Sequence, residues 1–543
     1  MAGMDLENCK TLDDAEALYP PRQGLAPGAE ITRLAPSPTG MPHIGTAMQA
    51  ILNRALADRS GGVFMLRIED TDQARTIAGA QDAIIEGLNW LGAAPDEGCV
   101  NGGAYGPYIQ SQRLPLYRLA AQYLLDQGHA YRCFCSAERL DMVRRTQTTN
   151  HQTPKYDRHC LHLSADEVAA KLKAGESFTV RQKIPEREKI SITDEVRGEI
   201  VFDTSALDDG VLLKSDGFPT YHLAAVVDDH FMRVTTVVRG EEWIPSTPKH
   251  VLIYRAFGWQ PPKFLHTVLL RDPQKRKLSK RSGDTSLTWF RRQGFLSLAF
   301  RNFLTRVMWA HPGNKDIYPF EEFVQLLDTK ALPSTGPVAD MTLLQFINNR
   351  YITAMSNEER AKVFIDYLDY LIVEGLSASS TIDPLAASVT ETDPDFLRLL
   401  RQEASTHVAR TVAISSIEPG RHHRLADMIF DNAYLYDCGY VPPSPEMLAK
   451  QAALTDVPGI LSRFTDAFKA DPHLSLDATL RAIAKDMCLA KDKQAFMTLR
   501  VALTGRDRTP PLPEVIEVLG ADRVRQRLEQ VMLSVTETAK SAG

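Results

Sequence analysis

At 543 residues the chain is far too long for a single hydrophobic core, and roughly three to five domains are expected. Hydrophobic residues make up 44% and charged residues 24%, and no window approaches the ~18 consecutive apolar residues of a membrane span, so membrane-spanning functions are set aside. A net charge of −6 excludes a polycation; any contact with nucleic acid must rest on local basic stripes.

The first thirty residues carry Asp5, Glu7, Asp13, Asp14 and Glu16 and lack an apolar core, unlike a secretory signal or a basic transit peptide. A poorly ordered extension of a cytoplasmic protein is expected there. From Ile31 the sequence predicts a strand (ITRLA), the turn Pro36-Ser37-Pro38-Thr39-Gly40, and a helix from Ile44 to Ala57. A second strand, Val63 to Ile68, follows Gly61-Gly62 and ends in Glu69-Asp70-Thr71-Asp72, and another helix spans Ala78 to Leu91. This alternation predicts a parallel sheet covered by helices, with ligands at the carboxyl ends of its strands. After Tyr131 the texture turns to short polar pieces. Strands are predicted again at Gly210–Lys214, Phe218–Val227 and Val234–Arg239, which suggests a smaller domain inserted between two halves of a nucleotide-binding sheet.

Beyond Pro319 helical periodicity dominates. Leu476, Leu480, Ile483 and Met487 line one helix face, a second helix runs through Val515 and Leu519 to a C-cap at Gly520, and a third gathers Leu528, Val531 and Met532. No repeat of fixed period and no low-complexity segment is found.

The seven cysteines are odd in number and thinly spread, which is not a disulfide framework. Cys133-Phe134-Cys135 and Cys160-Leu161-His162, however, form two short pairs of soft or borderline ligands that match a closed, structural Zn²⁺ site. His129, His151 and His159 break that pairing and are not counted.

Two segments suit phosphate. Residues Arg33 to Thr46 place a glycine and a histidine just before a helix N-terminus. Far downstream, Lys275 to Asp284 is a basic loop able to close over phosphates from the other side. Either alone reads equally well as an ordinary turn or a solvated basic face. Taken together and in this order, they resemble the HIGH and KMSKS signatures of class I aminoacyl-tRNA synthetases, written here HIGT and KLSKR. Thr46 replaces the second histidine, while Lys277, Ser279 and Lys280 keep the pattern. The strings RLAPSPTG, LRIEDTD, GPYIQSQR, KSDGFPTYHLA, VVDDH, VRGEEW and STPKH narrow the resemblance to the bacterial-type glutamyl-tRNA synthetases, over residues 31 to 350 and more weakly beyond.

That resemblance implies an α/β fold: a Rossmann-like parallel sheet with an inserted acceptor-binding domain, then an all-helical anticodon-binding region. The implied division is 1–29 extension, 30–108 and 210–270 catalytic halves, 109–209 insert with the zinc site, 271–350 signature loop and stem-contact domain, and 351–543 anticodon region. It further implies a ligase that activates glutamate with ATP and transfers it to tRNA, a monomer whose partners are tRNA, glutamate and ATP, with Mg²⁺ assisting and with activation waiting for bound RNA. Arg33 and Tyr221 would hold the substrate side-chain carboxylate, with Ala35 and Ser37 beside them. An arginine fork matches a carboxylate bidentately. Glu69 would take the ammonium, Arg239 the α-carboxylate, and Trp243 would wall the pocket. His43, Gly45, Glu242, Leu270 and Lys280 are the ATP set. His43, Thr46, Lys277, Ser279 and Lys280 stabilise phosphate charge, and no general base is named. Ala225 stands where some relatives have asparagine, so Arg33 carries more of the selectivity.

Three other readings stand beside this one: a glutaminyl enzyme, a short relative that glutamylates a modified nucleoside, and a non-catalytic RNA-binding paralogue. The helical C-terminal part, the length beyond Ile352 and the intact phosphate elements weigh against them in turn. Charging of the glutamine RNA would turn on anticodon contacts in the helical part.

Overall fold

The computed structural model describes residues 6–541 apart from 273, 277–284, 376–392, 445–446, 449 and 451–455, with backbone alone for 536–541. The chain forms two compact units, residues 1–289 with 300–341, and residues 290–299 with 342–543.

The first unit is built on a seven-stranded sheet. Its strands are β1 (Ile31–Leu34), β2 (Val63–Leu66), β3 (Glu97–Gly98), β6 (Lys189–Asp194), β7 (Gly198–Asp203), β9 (Thr236–Gly240) and β10 (Lys263–Thr267), in the order β3-β2-β1-β9-β10-β6-β7. All neighbours run parallel except the β6–β7 hairpin. Every residue of β1 is buried, as expected of a central parallel strand covered on both faces. A second, antiparallel sheet is formed by β4 (Ala130–Cys133), β5 (Thr179–Gln182) and β8 (Val211–Leu213).

Helices α1 (Leu12–Leu18), α2 (Ile44–Ser60), α3 (Ala80–Leu91), α4 (Leu114–Asp126), α5 (Ala137–Thr149), α6 (Ala165–Lys173), α7 (Tyr221–Phe231) and α8 (Thr247–Phe257) accompany these strands. The β1–α2–β2 crossover turns at Gly61, whose φ of 64° closes α2 in the left-handed region. At Gly62 a Cβ would run into the Glu30 carbonyl, so the chain can re-enter the sheet only through glycine.

Four expectations are corrected here. From residue 6 on, the N-terminal extension is ordered: Thr11 and Asp14 form a reciprocal capping box for α1. The strand expected over Phe218–Val227 is instead the start of α7. Its residues Leu223 to Asp229 are all buried, and a short run buried on every side shows no period that separates strand from helix. The strand expected at Gly210–Lys214 exists as β8, but it pairs with β5 in the small sheet. Conversely, the β6–β7 hairpin lies within the stretch expected to be an insert, yet it extends the large sheet.

The second unit is helical, with no strand among its described residues. Helix Asn357–Val373, opened by a Ser356/Glu359 capping box, packs against Pro394–Thr406 and Val408–Ser415. Helix Leu476–Asp486 buries Leu480 and Ile483, and the span Leu512–Ser541 breaks at Gly520 before burying Leu528 and Val531. No described helix in either unit is long and apolar enough to cross a membrane.

Candidate active site

β1 has β2 on one side, reached through α2, and the much later β9 on the other. This is the switch point at which an open α/β sheet leaves a crevice beyond its strand ends. A cavity of about 760 Å³ lies there, lined by Arg33, Ala35, Ser37, Glu69, Tyr221, Arg239 and Trp243 together with Gln49, Thr71, Arg75 and Lys214. Arg33 lies near the end of β1, Ser37 in the proline turn, Glu69 just past β2, Arg239 on β9 and Tyr221 at the first turn of α7.

Arg33 is held before any ligand arrives. Its Nε and Nη2 donate to the two carboxylate oxygens of Asp229 at 3.0 and 3.2 Å, and Nη1 donates to the Val238 carbonyl at 3.3 Å. Of the five guanidinium donors, two on the outer edge remain for a carboxylate. Asp229 also accepts from Arg67 Nη1 at 2.8 Å, and Arg67 Nη2 donates to Glu69 at 3.1 Å. Behind them Asp228 receives Arg113 Nε at 2.6 Å, Gln110 at 2.9 Å and the Tyr117 hydroxyl at 2.7 Å, with Arg67 at 3.6 Å. Arg33, Arg67 and Arg113 thus balance Glu69, Asp228 and Asp229 in a cluster in which Arg67, Arg113 and Asp228 are fully buried. Such charges persist out of water only when paired.

The two carboxylates that Arg67 bridges, Glu69 in the cavity wall and Asp229 behind it, differ. Burial pushes the Asp229 carboxyl up, but Arg33 and Arg67 more than reverse this and hold it below the usual range. For Glu69 burial wins over Arg67 and Arg33 and its carboxyl is raised. A substrate ammonium beside Glu69, which lines the cavity, would draw this carboxyl back to its charged form.

Arg239 is fixed by a cage of neutral groups. Nε donates to His266 Nε2 at 3.0 Å, Nη1 to the Tyr221 hydroxyl and His250 Nδ1, each at 3.1 Å, and Nη2 to Thr247 Oγ1 at 2.8 Å. One donor on Nη2 remains. His266 carries its proton on Nδ1, which faces Asp194 Oδ2 at 2.7 Å; this tautomer is assigned from the network. His250 in turn meets His222 at 3.0 Å. Burial drives all three imidazoles toward the neutral form, His222 to about 4. Because the Tyr221 hydroxyl accepts from Arg239, its own hydrogen is available to a ligand oxygen. Trp243 packs against the Tyr221 ring, centroids 4.3 Å apart and planes tilted by 39°.

Beside this cavity, His43 caps α2: its Nδ1 accepts the Gly45 N–H at 3.0 Å, which leaves the ring proton on Nε2. A Cβ on residue 45 would lie 2.8 Å from His43 Cε1, which accounts for the glycine. Thr46 follows in the first turn of α2. The chain that emerges from the basic loop returns here: Ile44 N donates to Thr285 O, and Leu287 N to Pro42 O, both at 3.0 Å. Lys277, Ser279 and Lys280 lie outside the described residues. Leu270 is buried just beyond β10 and Glu242 is exposed in the turn after β9.

In the small-sheet region the sulfurs of Cys133, Cys135 and Cys160 lie within 4.8 Å of one another. Four bonds of about 2.3 Å around zinc would space sulfurs by about 3.8 Å, so the thiols suit a tetrahedral ion. The fourth expected ligand is corrected: His162 is exposed and not in this group, while the Tyr156 hydroxyl stands 3.3 Å from both Cys133 and Cys135. Residues 159–162 form a 3₁₀ turn, in which positions two apart point to different sides, so Cys160 and His162 diverge.

Arg67, Gln110, Arg113, Asp228 and Asp229 carried no role in the sequence reading. The signal was present in VVDDH, where two adjacent aspartates interrupt an apolar run and so require buried partners.

The family described as "tRNA synthetases class I (E and Q), catalytic domain" matches residues 31–346, and an "Anticodon binding domain" matches 395–532. The chain belongs to the class I tRNA synthetases of that branch. The glutamate-tRNA ligase of Gloeobacter violaceus is 47% identical over 522 residues, covering 95% of this chain and 97% of the relative. The glutamate-tRNA ligase of Thermus thermophilus is 39% identical, covering 92% and 99%. A crystal structure of a glutamate tRNA ligase from Elizabethkingia meningosepticum in complex with its amino acid superposes with a TM-score of 0.75 at 28% identity, covering 93% and 99%.

Proposed function

We infer that the chain is a glutamate-tRNA ligase: it joins glutamate to AMP at the expense of ATP, releasing pyrophosphate, and passes the glutamyl group to the end of its tRNA. The observation that carries the amino-acid assignment is the polarity of the cavity, with Arg33, Tyr221 and Arg239 offering donors for two carboxylates and Glu69 a carboxylate for one ammonium. A glutamine amide would leave the outer edge of Arg33 without a countercharge. That mismatch favours glutamate over its isostere.

In the activation step the α-carboxylate of glutamate attacks the α-phosphorus of ATP and pyrophosphate leaves. In the second step a ribose hydroxyl of the tRNA end attacks the mixed anhydride and AMP departs. Both displacements need alignment and neutralised phosphate charge more than proton transfer. His43 Nε2–H, Thr46, Lys277, Ser279 and Lys280 supply that neutralisation in this reading, with Gly45, Leu270 and Glu242 around the nucleotide. The return of the chain at Thr285–Leu287 onto Pro42 and Ile44 supports it. Mg²⁺ adds countercharge when bound to the phosphates. Zinc held by Cys133, Cys135 and Cys160, with Tyr156 in the fourth position, would brace the insert 109–209 that receives the acceptor end. Residues 30–108 and 210–270, with the β6–β7 hairpin added to their sheet and β8 given to the small one, form the catalytic halves, 271–350 contacts the stem, and 351–543 reads the anticodon. The enzyme works as a cytoplasmic monomer.

The test is charging of purified glutamate and glutamine tRNAs with radiolabelled amino acid. Glutamylation of the glutamate tRNA with no glutaminylation of either is expected. Absence of glutamylation in the presence of ATP and Mg²⁺ would overturn the assignment.

A further inference from the structure

Residues 6–29 precede the stretch matched by the catalytic family, which begins at residue 31. Nothing in the proposed reaction calls on them. They are nevertheless bonded to the buried charge cluster that holds Arg33 and Glu69. Tyr19, at the end of α1, is fully buried. Its ring packs on Tyr105 and Phe231, centroids 6.4 and 5.6 Å apart. Its hydroxyl donates to the Gly106 carbonyl at 2.9 Å and accepts Arg113 Nη1 at 3.0 Å.

Arg113 is the fully buried guanidinium whose Nε holds Asp228 at 2.6 Å. From Asp228 the chain of charges runs through Arg67 to Asp229 and Glu69, and from Asp229 to Arg33. Both aspartates sit on α7, the helix that opens with Tyr221. The same segment grips the far end of that helix. Glu16 receives His230 Nε2 and Arg233 Nη2, and Arg233 Nε donates to the Tyr19 carbonyl at 2.9 Å. Arg22 forms two bonds to Glu97 of β3, at 2.7 and 3.0 Å, and a third to the Met232 carbonyl at 3.2 Å.

A merely adherent tail would bury apolar side chains on whatever surface was near. This one spends its only buried hydroxyl among residues 6–22 on a guanidinium that has a single carboxylate partner, and its Glu16 on His230, in the last turn of the helix that orients Asp229. We propose that Tyr19 is a positioning residue for the amino-acid pocket, which acts through Arg113 and Asp228 to keep Arg33 and Glu69 in the arrangement that receives glutamate. The proposal rests on the glutamate reading of that pocket.

Tyr19→Phe keeps the ring and removes only the oxygen, so Arg113 Nη1 loses its shortest acceptor and is left with the Pro107 and Tyr105 carbonyls at 3.1 and 3.4 Å. Loss of one hydrogen bond to a charged group, passed on in part, should raise KM for glutamate about three- to tenfold with kcat and KM for ATP little changed. The assay is tRNA-dependent ATP–pyrophosphate exchange with the full-length chain, with a thermal melt alongside. A chain lacking residues 1–25 should show the larger increase in KM for glutamate if it folds; if it does not, Tyr19→Phe alone decides. A parent chain with no glutamate-dependent exchange overturns the functional reading itself. An active parent with unchanged KM for glutamate in Tyr19→Phe overturns the positioning role, whether or not its melting temperature falls.

Discussion

Replacing Asp229 with asparagine removes one of three carboxylates from a buried group of three arginines and leaves one positive charge without compensation. Asp229 contacts two of them, Arg33 at 3.0 and 3.2 Å and Arg67 at 2.8 Å. Breaking a buried pair from one side costs about 3–5 kcal/mol, a large part of the roughly 5–15 kcal/mol that holds a domain folded. With a urea slope of about 3 kcal/mol per molar, the unfolding midpoint should fall by about 1–1.7 M. Tryptophan fluorescence at pH 7 reads this through Trp243 and Trp259, both in the first unit. Because the folded carboxyl of Asp229 is held below its unfolded value, its contribution is complete above about pH 4 and disappears as pH falls further. The gap between parent and variant should therefore narrow in acid. Glu69→Gln is the contrast. Its carboxyl is already raised by burial, so the midpoint should move little while glutamate-dependent exchange drops sharply for want of a partner to the ammonium. Equal midpoints for Asp229→Asn and the parent, or a larger loss in Glu69→Gln, would refute the reasoning.

Arg33→Lys keeps the charge but forfeits the two-pronged contact; a net loss of about 2–3 kcal/mol lowers kcat/KM for glutamate about 30- to 150-fold, checked by pyrophosphate exchange. His222 is held neutral down to about pH 4. Its unfolded form takes a proton near pH 6.5, so stability is complete above that value and falls between 6.5 and 4, by up to about 3 kcal/mol. Urea midpoints across this range should flatten in His222→Gln; identical slopes would count against it. Elemental analysis of chelator-free protein should find about one zinc per chain. Cys160→Ser should lose the metal and His162→Ala keep it, and retention in the first or loss in the second would contradict the Cys₃–Tyr site.

Sequence alone reached far into this protein because much of its chemistry is local. A strand, a proline turn, and a histidine and glycine at a helix start are decided within a few residues by backbone sterics and capping, so β1 and α2 could be placed in advance, whereas Arg33, Ser37, Glu69, Tyr221, Arg239 and Trp243 were named through the resemblance to the glutamyl-tRNA synthetases. The helical second unit was equally legible from apolar spacing. What tertiary structure decided was partnership. No spacing rule pairs Asp229 with Arg33 across 196 positions, turns Tyr156 rather than His162 toward the three thiols, or adds the β6–β7 hairpin to the large sheet. Burial resolved these, since a charge or backbone edge withdrawn from water must find a partner in whichever chain segment the fold delivers. For the same reason the leading segment, whose Glu7, Asp13 and Asp14 stay exposed, is tied into the core by residues its acidity hid: Tyr19 and Arg22 found their partners only in the folded unit.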